Sequence, residues 1–276
     1  MKKEMNEKNA ILTQDLTKRF GEILAVDKMN LEIPFGTIYG LLGPNGAGKT
    51  TSVRILNGII KSTSGKAIVG GYDLETHAKQ VKMMCGFLPE TPGLYQKLTP
   101  REYLQFIGEL YYIPREIIES RIRELLEMFD LKERKDDLLE NLSQGMKQKV
   151  CICAALIQDP EIIFLDEPTS NLDPGATRMV KDLLSDLTKR AEKTIFICTH
   201  LLDTAKELCD IIGIIDKGKL KVEGSPQKIM NSVGAHNLEE AYLKIVGPTH
   251  TNDLLAWRQE QTHHKKIEKE PLSEEI

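Results

Sequence analysis

The sequence predicts an α/β fold built on a sheet whose strands are buried on both faces. Three observations carry that expectation: apolar runs too continuous for half-exposed strands, a glycine-rich loop between one such run and a helical stretch, and a central block with helical periodicity. The runs are TIYGLL at 37–42, KAIVGG at 66–71, EIIFLD at 161–166, TIFICT at 194–199 and IIGIID at 211–216. Several lack the polar–apolar alternation of a strand with one wet face, so they suit a sheet covered on both sides.

Between about 95 and 160 the texture is helical. In TPREYLQFIGEL, Thr99 and Glu102 form a capping box with Pro100 at the first helical position. Tyr103, Phe106, Ile107 and Leu110 follow at helical spacing, and a second helix carries Ile118, Ile122, Leu125, Leu126 and Phe129 on one face. The block reads as a helical subdomain inserted between strands. At 142–150 the chain reads LSQGMKQKV and then the apolar run CICAALI. Ser143 is the expected helix cap, yet Gly145 sits in the first turn and Met146 stands where a capping box wants Glu or Gln. Helix stability alone does not explain those choices.

A chain of 276 residues, 41% hydrophobic, is long enough for a sizeable core. Its formal net charge of −4 is spread along the length. That distribution disfavours a direct nucleic-acid partner, which usually demands a basic footprint. The five cysteines are Cys85, Cys151, Cys153, Cys198 and Cys209, mostly in apolar segments with no CxxC pair, and they read as buried thiols of a reducing compartment. The N-terminus MKKEMNEKNA has no apolar signal core, and no run reaches the roughly 18 apolar residues of a membrane span. A cytoplasmic chain is expected, and work at a membrane would need a partner. After about residue 247 the composition turns polar, which suggests a mobile tail. His250, His263 and His264 offer an alternative metal-binding reading of that tail, without Cys or ordered spacing to support it.

The segment GPNGAGKTT at 43–51 fits G-x-x-x-x-G-K-[ST] and lies between the strand IYGLL and the helical run SVRILNGII. Gly43, Gly46 and Gly48 let the backbone curl until its N–H groups face phosphate oxygens, and the helix N-terminus adds its positive end. Lys49 supplies a full charge to the β and γ phosphates, and the Thr50 hydroxyl suits Mg²⁺. The strand EIIFLDE ends in paired carboxylates, Asp166 to hold the ion or its water and Glu167 to orient the attacking water as general base. Such residues also cap turns after strands, but Pro168 follows at once. This strand is expected beside the phosphate loop in a parallel sheet. His200, at the end of TIFICTH, is a third polar group at a strand end and a candidate γ-phosphate contact.

The order GPNGAGKTT, LSQGMKQKV, IIFLDEPTSNLD, ICTH resembles the nucleotide-binding domain of ABC transporters, from about Ile11 to Gly247. The resemblance implies a phosphate-loop NTPase core with a mixed sheet, an N-terminal antiparallel β subdomain and the inserted helical subdomain at about 95–160. The ATPase domain would span 1–246 and the tail 247–276. ATP would be held by Phe20, Gly43, Pro44, Asn45, Gly46, Ala47, Gly48, Lys49, Thr50 and Thr51, and by Ser143 and Gly145 of a second domain. Mg²⁺ would be held by Thr50, Glu90 and Asp166, and the catalytic groups would be Glu167 and His200. Phe20 stands where the family places an aromatic ring, more often tyrosine, against adenine. Glu90 in GFLPE replaces the usual glutamine, and LSQGM departs from LSGGQ at Gln144 and Met146. Asp173 in SNLD matches a loop that contacts the partner subunit, and Asn171 replaces a smaller residue.

The resemblance further implies two such domains, identical or paralogous, sandwiching two ATP molecules, with separately encoded integral membrane subunits as partners at the cytoplasmic face. CGFLPETPGLYQKLTPREYLQFIGELY and NLEEAYLKIVG resemble the subfamily that drives type-2 exporters, with the stretch from Leu94 to Leu98 turned to the membrane partner. The alternative is a soluble ABC ATPase acting in translation or DNA repair. One set of motifs, an ordinary helical insert and no CxxC weigh against it. A generic phosphate-loop kinase or GTPase does not account for LSQGM and His200 or for the lack of an NKxD segment.

Overall fold

The computed structural model of the protein describes residues 8–91 and 93–247. The polar tail and its histidines lie outside the described residues. The chain opens with a long hairpin, β1 (Asn9–Phe20) and β2 (Ile23–Pro34), followed by β3 (Ile38–Leu42) and α1 (Lys49–Leu56). Next come β4 (Ser64–Val69), β5 (Tyr72–Asp73), α2 (Leu74–Met84) and β6 (Cys85–Leu88). The helices α3 (Pro100–Leu110), α4 (Arg115–Met128) and α5 (Gln144–Leu156) form the central block. The chain returns through β7 (Ile162–Asp166), α6 (Pro174–Ala191), β8 (Thr194–Thr199), α7 (Leu202–Leu208), β9 (Ile211–Asp216) and β10 (Lys219–Gly224), then α8 (Pro226–Ser232) and α9 (Leu238–Val246).

Two sheets result. One is antiparallel, in the order β2-β1-β4-β5, and the other has the order β10-β9-β3-β8-β7-β6, parallel except where β10 pairs with β9. The mixed core sheet, antiparallel N-terminal layer and central helices match the expected fold. One strand does not follow the sequence argument: KAIVGG lies in the antiparallel sheet as β4, with an exposed first half. Its small residues made it resemble the buried runs, but only Ala67 and Val69 are buried.

Continuous apolar strands are explained by two cores. Ile38, Leu42, Ile163, Leu165, Ile195, Ile197, Ile212 and Ile214 face one core with the helices α3–α5. The alternate residues Tyr39, Leu41, Ile162, Phe164, Phe196, Cys198 and Ile215 face another, with α1 and the antiparallel sheet. Each strand therefore spends both faces on burial. All five cysteines are buried free thiols within these layers.

The helical block keeps its local signals. Thr99 Oγ accepts from Glu102 N at 3.2 Å, and Thr99 N donates to Glu102 Oε2 at 2.9 Å, completing the capping box. The apolar residues of α3 do not share one buried face: Leu104 and Gly108 are buried and Tyr103 and Ile107 half-buried, whereas Phe106 and Leu110 are exposed. At about 100° per residue, positions 106 and 110 point away from the line along which α3 meets α4 and α5. On α4, Ile118, Ile122, Leu126 and Phe129 are buried as the periodicity requires, with Leu125 packed at their margin.

Strand order positions the site. Leu42 is in register with Thr199, Cys198 with Asp166, and Leu165 with Leu88. The C-terminal ends of β3, β8, β7 and β6 therefore lie in a row, and each leads into one of the sequence motifs. The carboxylate strand is parallel to the phosphate-loop strand as expected, but β8 lies between them.

Phe196→Ala should cost about 3–5 kcal/mol in denaturant melts, because its ring fills the core between Tyr39 and Phe164, at centroid distances of 5.1 and 5.8 Å. Thr99→Ala, which removes only the cap, should cost about 1 kcal/mol.

Candidate nucleotide site

The end of β3 turns into α1 through a loop that only glycine can form at its last position. Gly48 has φ 109°, and a Cβ there would collide with the Ala25 carbonyl of β2. The loop is strapped from behind, since Gly218 N donates to Ala47 O at 2.9 Å and Asp27 N to Gly218 O at 2.8 Å. Gly43 and Ala47 are buried as part of that scaffold. The Lys49 ammonium folds back on its own loop, donating to Gly43 O at 2.7 Å and Pro44 O at 3.2 Å.

In front lies a cleft of about 560 Å³, lined on one side by Asn45, Gly46, Gly48, Lys49, Thr50 and Thr51 and on the other by Glu90, Asp166 and Glu167. The first turn of α1 opens into it, where backbone N–H groups have no helical acceptor. Asp166 is only 1% exposed and its Oδ2 has no hydrogen-bond partner among the described residues. Burial raises its pKa above the usual carboxylate value; the Thr50 hydroxyl opposes that rise, the Glu90 and Glu167 carboxylates add to it, and Lys49 offsets part. A buried, unpartnered carboxylate oxygen among other carboxylates calls for a cation.

Glu167 sits at φ 52° just past β7, a conformation uncommon for a residue with a side chain. Its Oε1 accepts from His200 Nδ1 at 2.8 Å and from His200 N at 3.1 Å, and its Oε2 accepts from Thr199 Oγ at 3.0 Å. Because a carboxylate only accepts, the His200 tautomer assigned by this bond carries its proton on Nδ1. His200 therefore reaches the site through Glu167.

Ser143 caps α5, its Oγ accepting from Met146 N at 3.2 Å. A hydroxyl that accepts from its own helix keeps its proton for another acceptor. Gly145 has a neighbour within the chain: a Cβ would lie 3.1 Å from Asn171 O, tighter than ordinary contact. Gln148, one turn on, donates from Nε2 to Pro168 O at 3.2 Å. Helix α5 is thus tied to the loop that carries Glu167. Neither Ser143 nor Gly145 lines the cleft that holds Lys49. Asp173 caps α6 by accepting from Ala176 N at 2.9 Å.

Phe20 is half exposed at the hairpin end, paired with Ile23, and the Lys18 ammonium lies 4.9 Å from its ring centroid. The cleft also has members the motifs did not reveal: Ile23, Leu24, Ala25 and Lys217. The first three open the strand ILAVDKMNLEIP as a continuous apolar run, with no alternation to mark which side faces the cleft. Lys217 is placed by tertiary structure, through the turn strapped to the phosphate loop, and has no local signature.

The profile of the ABC transporter family matches residues 26–170. The bacitracin transport ATP-binding protein of Bacillus licheniformis is 40% identical over 213 residues, which cover 77% of this chain and 69% of that protein. A Nod factor export ATP-binding protein of Cupriavidus metallidurans is 34% identical over 229 residues, covering 83% and 75%. A solved dimeric ATP-binding cassette, in a post-hydrolysis state bound to ADP and Pi, superposes with a TM-score of 0.73 at 26% identity, covering 78% of this chain and 98% of that one. Phosphate loop, carboxylate strand and capped signature helix, in this order on this sheet, agree with those likenesses, and the chain belongs to the ABC transporter family as an ATP-binding, ATP-hydrolysing subunit.

Proposed function

We propose that the chain is the motor of an exporter and works as a dimer in which each ATP is held by two chains. The observation that carries this reading is a separation: Lys49, Thr50, Asp166 and Glu167 share one cleft, while Ser143 and Gly145, the other phosphate-binding element, lie outside it. A second copy facing the first would bring its Ser143 hydroxyl and α5 N-terminus over the γ-phosphate. The dimeric cassette among the structural likenesses supports the same arrangement.

The phosphate loop and Lys49 bind and orient the triphosphate, and the apolar wall of Ile23, Leu24 and Ala25, with Phe20 beside it, receives the base. The residues present fit Mg²⁺. Among the described residues no group of three or more His, Cys, Asp or Glu can hold an ion by itself. Mg²⁺ characteristically shares one or two carboxylates with substrate phosphates. Thr50, Asp166 and Glu90 would hold it, and it would offset charge building on the phosphoryl oxygens. Glu167 takes the proton of the attacking water, and the His200 ring donates to that carboxylate. Hydrolysis then removes the γ-phosphate that joins the two chains, and the dimer opens.

The partner is an integral membrane subunit encoded separately, which places the chain peripherally at the cytoplasmic face. No helix among the described residues is long and apolar enough to cross a membrane. Next to Glu90, Leu94 and Leu98 pack into the core, while Tyr95 is exposed and meets the exposed Phe106 edge-on, at a centroid distance of 5.5 Å. Leu110 and Tyr112 are exposed as well, and apolar side chains left at the surface suit a docked protein and not nucleic acid. The name of the Nod factor export relative supports export.

Glu167→Gln should keep ATP affinity, lose about 10²–10⁴-fold in turnover and accumulate as an ATP-bound dimer in size-exclusion chromatography; undiminished hydrolysis would remove Glu167 from the role. Glu90→Gln should weaken the Mg²⁺ dependence of ATP binding, read as the ratio of Kd values with and without the ion, because it removes one negative charge beside Asp166. Affinity purification from detergent-solubilised cells should recover a multi-helix membrane protein, whereas recovery of ribosomes or DNA-repair proteins would favour the soluble alternative.

A further inference from the structure

We propose that Thr199 is the positioning residue of the hydrolytic carboxylate, fixing Glu167 so that one acceptor site remains for the attacking water. The inference rests on the reading of Glu167 as general base and names the group that sets its geometry. Thr199 ends β8 and is 1% exposed. Its Oγ accepts from Leu201 N at 3.0 Å and donates to Glu167 Oε2 at 3.0 Å. A hydroxyl has one proton. With the Leu201 N–H occupying a lone pair, the direction of that proton is set by the backbone, and it is committed to Glu167.

The carboxylate itself can then be counted. It offers about four acceptor sites; Thr199 Oγ, His200 N and His200 Nδ1 fill three of them. One is unspent, on a residue that lines the nucleotide cleft. The Glu167 backbone is in the left-handed region and is held there by Glu167 N donating to Cys198 O at 2.9 Å and by Ser170 Oγ donating to Glu167 O at 2.8 Å. Those bonds fix the main chain. The side chain has separate rotamer freedom, and Thr199 is the only anchor on Oε2 among the described residues.

The two oxygens are anchored differently. Oε1 is held by the His200 backbone N–H and by the His200 ring, which is more than half exposed, whereas Oε2 is held among the described residues by Thr199 alone, at the end of a central strand. Thr199 therefore fixes Oε2, and its hydroxyl, not its methyl group, carries the function.

The test compares Thr199→Val, Thr199→Ser and Glu167→Gln in the full chain, measuring steady-state ATP hydrolysis, ATP affinity by nucleotide fluorescence and thermal stability. Losing one charge-assisted hydrogen bond to the base should lower kcat about tenfold or more in Thr199→Val, with KM and ATP affinity within about twofold of the parent. Thr199→Ser keeps the hydroxyl and should retain most of kcat. A purely structural role predicts the opposite ranking, since Ser deletes a buried methyl group and Val keeps the shape. Thr199→Val hydrolysing as fast as the parent or faster, or Thr199→Ser impaired as much as Thr199→Val, would overturn the proposal. Failure of the underlying reading has its own signature, because Glu167→Gln would then turn over normally. Thr199→Val combined with Glu167→Gln should be no slower than Glu167→Gln alone; an additional loss of the Thr199→Val size would place Thr199 outside the Glu167 unit and also overturn the proposal.

Discussion

The register of four adjacent parallel strands is the constraint on which the rest of this structure depends. β3, β8, β7 and β6 end side by side, and each delivers its last residues or the loop that follows to the same edge. The phosphate loop, Thr199 and His200, Asp166 and Glu167, and Glu90 are neighbours for that reason, although they are far apart in sequence. A one-residue slip in any of these strands would turn its core side chains to the opposite layer. Both layers are apolar, so a slip would be opposed by mismatched packing and not by exposure to water. The site inherits its precision from a core with two well-filled faces.

At the edge of this sheet the chain accepts local costs. Asp166 buries an oxygen without a partner among the described residues, Glu167 takes a left-handed backbone, and Gly48 occupies a position closed to any side chain. Each departure concerns a group that the proposed mechanism sets against phosphate, ion or water, as expected where binding is the selected property. Helix α5 shows the same economy. Its Ser143 cap stabilises the first turn and still has a proton to donate, while Gly145 admits the Asn171 carbonyl and Gln148 ties the helix to the Glu167 loop. In the proposed dimer, a movement of that helix on closing over a partner's ATP would have a direct mechanical route to Glu167 of its own chain.

How much was legible in the sequence follows from where the information resides. The phosphate loop, the capping box at Thr99 and the buried face of α4 are local patterns and were readable at residue level. KAIVGG misled because a short apolar run does not show which sheet will cover it. The spacing in α3 marks a helix but not its buried face, since Phe106 and Leu110 are large and apolar and yet exposed. Lys217, Leu24 and Thr199 acquire their places only through long-range pairing, and the hydroxyl of Thr199 is an ordinary strand-end residue until the carboxylate is seen on it.

The central claim is that each ATP site is shared between two chains. It is tested most directly by mixing Lys49→Ala chains with Ser143→Arg chains, each inactive alone, and measuring ATP hydrolysis after heterodimers have been verified with two affinity tags. The heterodimer keeps one site with an intact Lys49 loop and an intact Ser143 edge, so activity should rise above that of either variant. Heterodimers no more active than the separate variants would contradict the shared site.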